Sequence, residues 1–397
     1  MLIQGADVVF DQGVRRCDVR IEGDEIVEIG EKLDGEGIDG RGKYLMPSLV
    51  DIGIKVRDAK LRRGTLERLS KKAAVHGFGT IVLSARSEPP IDDEITLEFV
   101  KSQAELCQDA VIRSLIAGIE EEGGLSDCSI LLKEGGVGIE FDSDIDGNLI
   151  RRLMEYAAMH GVTLFCHAND RALQGDGVMH EGRLAGEMGL GGISPLAESS
   201  QVARVGAFAK TFGVDVVILG ASTLETLELC EQNAYLIPQV SLHHLLLNDE
   251  TCRGYDTRGK LFPPLRDEKT RQAMLHKVTS MPKLMITSLH SPVSLSAKDA
   301  VFAEAAYGID ALPYFLPLIY SGLVEKGFVD METLCRMVAT NPSRTIGHTR
   351  SGTIAVGAKA DVILFDPKPS ATIDDETSPY HGWQIHGHVE RVTKERV

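Results

Sequence analysis

The sequence predicts an α/β fold: a (β/α)8 barrel carrying a small β-sandwich built from both ends of the chain. Three observations lead there. Eight short apolar runs alternate with helical patterns through the middle of the chain, at about 30 residues per unit, the rhythm of parallel βα units. Both ends are instead β-rich and show no helical periodicity. No G-x-G-x-x-G follows a first strand, which argues against a doubly wound open sheet. With 397 residues the chain has room for one large barrel and a small second domain. The expected division is 1–46 plus 345–397 for the sandwich and 47–344 for the barrel.

The elements follow in order. Residues 1–46 read as strands at 2–3, 6–10, 19–21 and 26–29, separated by Gly, Asp and Glu. Residues 352–366, GTIAVGAKADVILFD, have the same character and are expected to join them. Barrel strands are expected at 48–56, 79–84, 111–119, 137–141, 162–168, 214–221, 234–241 and 283–289. Helical patterns at 66–75, 149–160, 197–212 and 224–232 lie between them. Two long Gly-rich loops, 170–195 and 248–264, read as lids or partner-facing segments, since loops of that length in a compact domain are usually functional.

Bulk composition excludes several classes. Hydrophobic content of 43% and charged content of 25% are those of an ordinary globular protein. A net charge of −16 argues against nucleic acid and anionic membrane as partners, because both require clustered Lys and Arg. No apolar run reaches the ~18–20 residues of a membrane span. The first residues, MLIQGADVVF, lack the basic and apolar regions of a secretory signal. The seven cysteines are scattered and form no C-x-x-C, which fits free thiols in a cytoplasmic protein.

Candidate chemistry starts at residues 47–57, PSLVDIGIKVR. The run is a buried strand opening onto Lys55, Arg57 and Asp58, and the C-terminal ends of barrel strands carry active sites. Elsewhere the signals are bland. His386 and His388 share one face of a strand but lack a third ligand. Ser222 has no Gly-x-Ser-x-Gly elbow around it. Glu120–Glu122 reads as a solvated loop end and Trp383 as sandwich packing.

Residues 47–57 resemble the first signature of the dihydroorotase branch of the amidohydrolase superfamily, roughly PGFVDLHVHLR. Further segments extend the resemblance over nearly the whole chain. CHANDRALQGDGVMHEG (166–182) is similar to the family's strand-5 HAED motif and its Gly-rich loop, and ISPLAESSQVAR (193–204) to the helix that follows. SLHHLLLNDE (241–250) resembles TPHHLLLTDE, which makes His243 and His244 a family feature, expected to serve in packing or loop hydrogen bonding. YDTRGKLFPPLRDEKTR (255–271) resembles the K-x-N-PPLR segment. TNPSRTIG and GTIAVGAKADVILFD resemble the barrel exit and the returning sandwich strand. The resemblance implies a (β/α)8 TIM barrel of the amidohydrolase type. It also implies ring opening of dihydroorotate, with zinc polarising the amide carbonyl and making hydroxide from water.

The metal positions depart from that pattern. The His-x-His pair of the first strand is Gly53 and Lys55. The strand-4 Asp falls on Phe141, or on Asp142 if the frame shifts by one residue. The strand-5 His survives as His167. HVST of strand 6 becomes GAST, leaving Gly220, and TSDH of strand 8 becomes TSLH, placing Leu289 where the general acid/base Asp would stand. His167 by itself reads as a structural histidine. Of the substrate contacts, Arg57 matches the family's carboxylate-binding arginine, whereas Arg86 and Phe262 replace two asparagines. Lys55 and Arg86 then have two readings: an anion pocket with Arg57, or replacements for the charge of the missing zinc.

The resemblance therefore implies a chain without catalytic residues and without a cofactor. Inactive dihydroorotase-like chains of this kind assemble with the catalytic chain of aspartate carbamoyltransferase in pyrimidine biosynthesis and act as scaffold. A homo-oligomer and a cytoplasmic location are part of that expectation. The alternative is an active cyclic-amide hydrolase with a rearranged zinc site built from His167, His290 and Asp142 or Asp170. A third reading is a small-anion binding protein using Arg57, Arg86 and Lys55.

Overall fold

A computed structural model describes residues 1–391. Residues 392–397, the end of the expected second sandwich segment, lie outside the described residues. The N-terminal strands are β1 (Leu2–Phe10), β2 (Gly13–Glu22), β3 (Glu25–Gly30), β4 (Ile38–Asp39) and β5 (Tyr44–Pro47). The barrel strands are β6 (Leu49–Ile54), β7 (Phe78–Leu83), β8 (Val111–Ser114), β9 (Ile116–Ala117), β10 (Ile139–Asp142) and β11 (Leu164–His167). A two-stranded ribbon, β12 (Met179–His180) and β13 (Gly192–Ile193), interrupts them before β14 (Val216–Ile218), β15 (Leu236–Ser241) and β16 (Met285–Thr287). The chain returns with β17 (Val362–Thr372) and β18 (Gln384–Arg391).

Both ends of the chain form one mixed seven-stranded sheet, ordered β18-β17-β5-β1-β2-β3 with β4 beside β1. Its core draws on both ends: Ile3, Val8, Val19 and Ile26 pack with Ile354, Val362 and Leu364. The last expected strand begins only at Val362, because 353–361 is a loop whose amides bond back to Asp24 and Ile26.

The barrel strands are buried on both faces, as parallel strands flanked by helices must be; β7 has no exposed residue. Two parallel ladders run β6-β7-β8 and β9-β10-β11-β14-β15-β16. β8 and β9 are one strand interrupted at Leu115, whose amide still bonds to β7 while the next residue turns to β10. Eight strands result. Side chains tie the first to the last: Asp51 of β6 accepts from Thr287 Oγ1 at 2.6 Å and from the Ser288 amide at 2.9 Å. The Lys55 amide continues this seam to the His290 carbonyl.

Outer helices are amphipathic and capped where the sequence provides for it. Helix Thr65–Val75 buries Leu66, Leu69, Ser70, Ala73 and Ala74, one helical stripe. Helix Leu224–Gln232 starts at Thr223, whose side chain accepts from the Thr226 amide. No described helix is long and apolar enough to cross a membrane.

The two long loops contain ordered elements. Segment 170–195 holds helices Arg171–Gln174 and Arg183–Met188 beside the β12–β13 ribbon. It packs on 249–259 and Phe302 through a separate apolar cluster of Met179, Leu184, Ala185 and Cys252. Short helical turns flanked by glycine carry too few periods to be read as helices in sequence.

Candidate functional site

The C-terminal ends of the barrel strands surround a cavity of about 130 Å³. Gly53, Lys55, Arg86, His167, Gly220 and Leu289 reach it from five different strand ends. Phe262 and Tyr307 cover it from loops, ring edge to ring face at 5.6 Å. A recess of about 430 Å³ continues outward, sharing Arg86, His167, Phe262 and Tyr307 and adding Asp142 and Arg171.

The charged core beneath this mouth is Glu140, a residue the sequence reading passed over. β10 reads Ile139, Glu140, Phe141, Asp142, and strand alternation turns Glu140 and Asp142 inward. Glu140 is buried. It accepts from Ser84 Oγ at 2.8 Å, from the Ala85 amide at 2.5 Å and lies 2.5 Å from His167 Nε2. Burial alone would raise its pKa, but the hydrogen bond and charge of His167, then Arg86 and Ser84, outweigh burial and hold the carboxyl at about 2. Burial and Arg86 hold the His167 imidazole down at about 4, against the pull of Glu140. The neutral ring therefore donates its Nε2–H to the ionised carboxylate. Arg86 pairs with Asp142, which Arg171 also reaches at 3.3 Å. Lys55 has its pKa lowered by burial and by Arg86, with Glu140 pulling the other way.

Four sequence expectations need correction. Phe141 is not a site position: alternation points it into the apolar core, and the inward neighbours are Glu140 and Asp142. Arg57 does not join Lys55 and Arg86. It opens a one-turn helix past the strand end, is exposed and lines neither cavity. His290 does not converge with His167. It is buried, accepts from the Ala311 amide through Nδ1 and faces Asp310 at 3.5 Å. Asp170 is occupied as a helix cap, bonded to the Leu173 amide and Gln201.

The remaining candidates sit in structural roles. His243 bonds Tyr380 Oη and the Ser288 carbonyl, and His244 bonds Ser241 and the Pro263 carbonyl. Ser222 bonds Glu198, which makes a buried ion pair with Arg266. His386 pairs with Glu325 at 2.8 Å. Trp383 stacks edge-on against Tyr380 at 5.0 Å.

The donor set does not fit a binuclear zinc centre. Glycines 53 and 220 and Leu289 have no ligand atom, the Lys55 ammonium repels a cation, and the His167 Nε2 is spent on Glu140. Among the described residues no group of three or more His, Cys, Asp or Glu side chains is placed to hold a metal ion.

A barrel of this topology, with its cavity at the strand ends and a sheet from both termini alongside, is an amidohydrolase-type fold. It superimposes on the D-hydantoinase (dihydropyrimidinase) from Thermus sp. with a TM-score of 0.82, covering 99% of this chain and 97% of that one at 20% identity. The chain is 32% identical to a dihydroorotase of Geobacter sp. (strain M21), over 98% of its own length and 96% of the relative's. It is 30% identical to that of Caldanaerobacter subterraneus subsp. tengcongensis, over 97% and 91%. No family model matches the chain. At that identity and coverage the chain belongs to the dihydroorotase family.

Proposed function

We propose that this chain is a non-catalytic member of the dihydroorotase family, a cytoplasmic, oligomeric scaffold for the catalytic chain of aspartate carbamoyltransferase. The observation that carries the reading is the content of the barrel mouth. Lys55 and Arg86 stand at the strand ends, and Gly53, Gly220 and Leu289 leave no ligands around them. Activating water at neutral pH requires a bound metal or a base poised near the working pH. Here the buried carboxylate is held at about 2 and is occupied by His167, Ser84 and a backbone amide. Family resemblance alone supplies the transferase as partner. The reading divides the chain into a barrel, 47–344, and a sandwich, 1–46 plus 345–397.

Co-purification with the native transferase tests it, with zinc and dihydroorotate turnover measured on the same sample. The expected result is a stoichiometric complex without zinc and without ring opening by this chain. Turnover of dihydroorotate by the isolated chain, with about one or more zinc per chain, overturns the non-catalytic reading. Failure to associate overturns the scaffold.

A further inference from the structure

We propose that the barrel mouth binds a small monocarboxylate with an apolar body, its anionic group seated between Lys55 and Arg86. The inference concerns a ligand and stands whether or not the transferase is the partner.

Charge comes first. Two cations and no carboxylate line the inner cavity. Glu140 lies behind it and balances one of them. Asp142 is divided between Arg86 and Arg171. One positive charge is left unmatched, which suits a monoanion. Unpaired charge at a partly desolvated site is costly, and an incoming carboxylate relieves that cost.

Hydrogen-bonding capacity comes second. Lys55, Ser291 and Tyr307 line the cavity, and the Lys55 ammonium and both hydroxyls bond to no described residue. Three residues with open polar groups around one cavity suit a ligand site.

The walls come third. Leu219, Leu261, Phe262, Leu289 and Ile309 are apolar, so a strongly hydrated dianion such as phosphate would lose water there without replacement. A volume of about 130 Å³ around the two cations suits a small ligand, with the outer recess open beyond it. A mouth whose ligand positions have become glycine, ammonium and leucine rejects a cation and accepts an anion for the same Coulombic reason.

Calorimetric titration of the full chain with benzoate tests the proposal, with acetate and inorganic phosphate as comparison probes. Expected are saturable one-to-one benzoate binding, weaker acetate binding and still weaker phosphate binding. Lys55→Met should weaken benzoate at least about tenfold. Leu289→Asp gives an independent variant that leaves Lys55 in place. Leu289 has φ 51, a backbone conformation that Asp tolerates, and the new carboxylate would occupy the seat and abolish benzoate binding. The proposal is overturned if the wild-type chain shows no saturable binding at millimolar benzoate. It is overturned equally if phosphate binds as tightly as benzoate, or if either folded variant binds benzoate like the wild type.

Discussion

His167 lies 2.5 Å from Glu140 across two neighbouring strands, and this contact organises the charges of the barrel mouth. The carboxylate takes the imidazole N–H, the Ser84 hydroxyl and the Ala85 amide, and it is the anion that Lys55 and Arg86 face from above. Removing one member of a buried, hydrogen-bonded charge set leaves the others uncompensated. Glu140→Gln is therefore expected to destabilise the fold by about 3–5 kcal/mol in urea unfolding. Adding Lys55→Met should return part of that loss, because the second change deletes a cation left without its counter-charge. Additive effects of the two substitutions would separate Lys55 from this network.

Backbone conformation makes Gly53 hard to replace. It has φ 87 inside β6, at a register shift against β7, and a Cβ there would meet only Leu219 Cδ2 at 3.6 Å. Space is adequate, so the cost is conformational. Gly53→Ala should lose about 1–2 kcal/mol. Gly186 supplies the control, since it lies in a helix with open space at Cβ and an ordinary φ. Gly186→Ala should gain about 0.5–1 kcal/mol. Equal effects at the two positions would remove the conformational explanation.

The fold was legible because apolar runs such as residues 78–83 and stripes such as Leu66, Leu69 and Ala73 repeat at strand and helix periods. The positions of Gly53, Lys55, Gly220 and Leu289 around one cavity were legible from motif frames at the strand ends. Glu140 was not, because the frame drew attention to Phe141, one residue on. The strand period of two was the available signal: an acid at 140 and another at 142 flank an aromatic, so the acids share a face. Arg57 failed for the opposite reason. Its motif match was good, but Arg57 opens a one-turn helix past the end of β6 and stands exposed, outside both cavities.

Asp51 closes the barrel. Its two oxygens hold Thr287 of the last strand and the Ser288 amide just beyond it. Asp51→Ala leaves the buried Ser288 amide without an acceptor and opens a gap between first and last strands. A loss of about 2–4 kcal/mol is expected, with faster amide exchange in β16 than in β14. Unchanged exchange at β16 would show that the packed core alone closes the ring.

The pH dependence of stability follows from groups that titrate differently when buried. His167, His180 and His244 are held at about 4, and His243 and His290 at about 3, chiefly by burial. Their unfolded pKa is about 6.5, so below that pH the unfolded chain takes up protons that the folded chain refuses. Stability contributed by these five is present above pH 6.5 and is lost as pH falls toward 4. Asp51 runs the other way. Burial raises it to about 6, so its contribution is present below its unfolded value of 3.8 and is lost as pH rises through about 6. Near pH 5 proton uptake by the five histidines on unfolding outweighs the proton that Asp51 releases, so stability should fall steadily on acidification. Glu140 extends the loss at lower pH, between its unfolded 4.5 and about 2. Urea midpoints taken from pH 7 down to pH 5 measure the slope. Asp51→Asn removes this opposing group and should steepen that slope. A flat profile over this range would mean that the buried imidazoles take up protons in the folded chain.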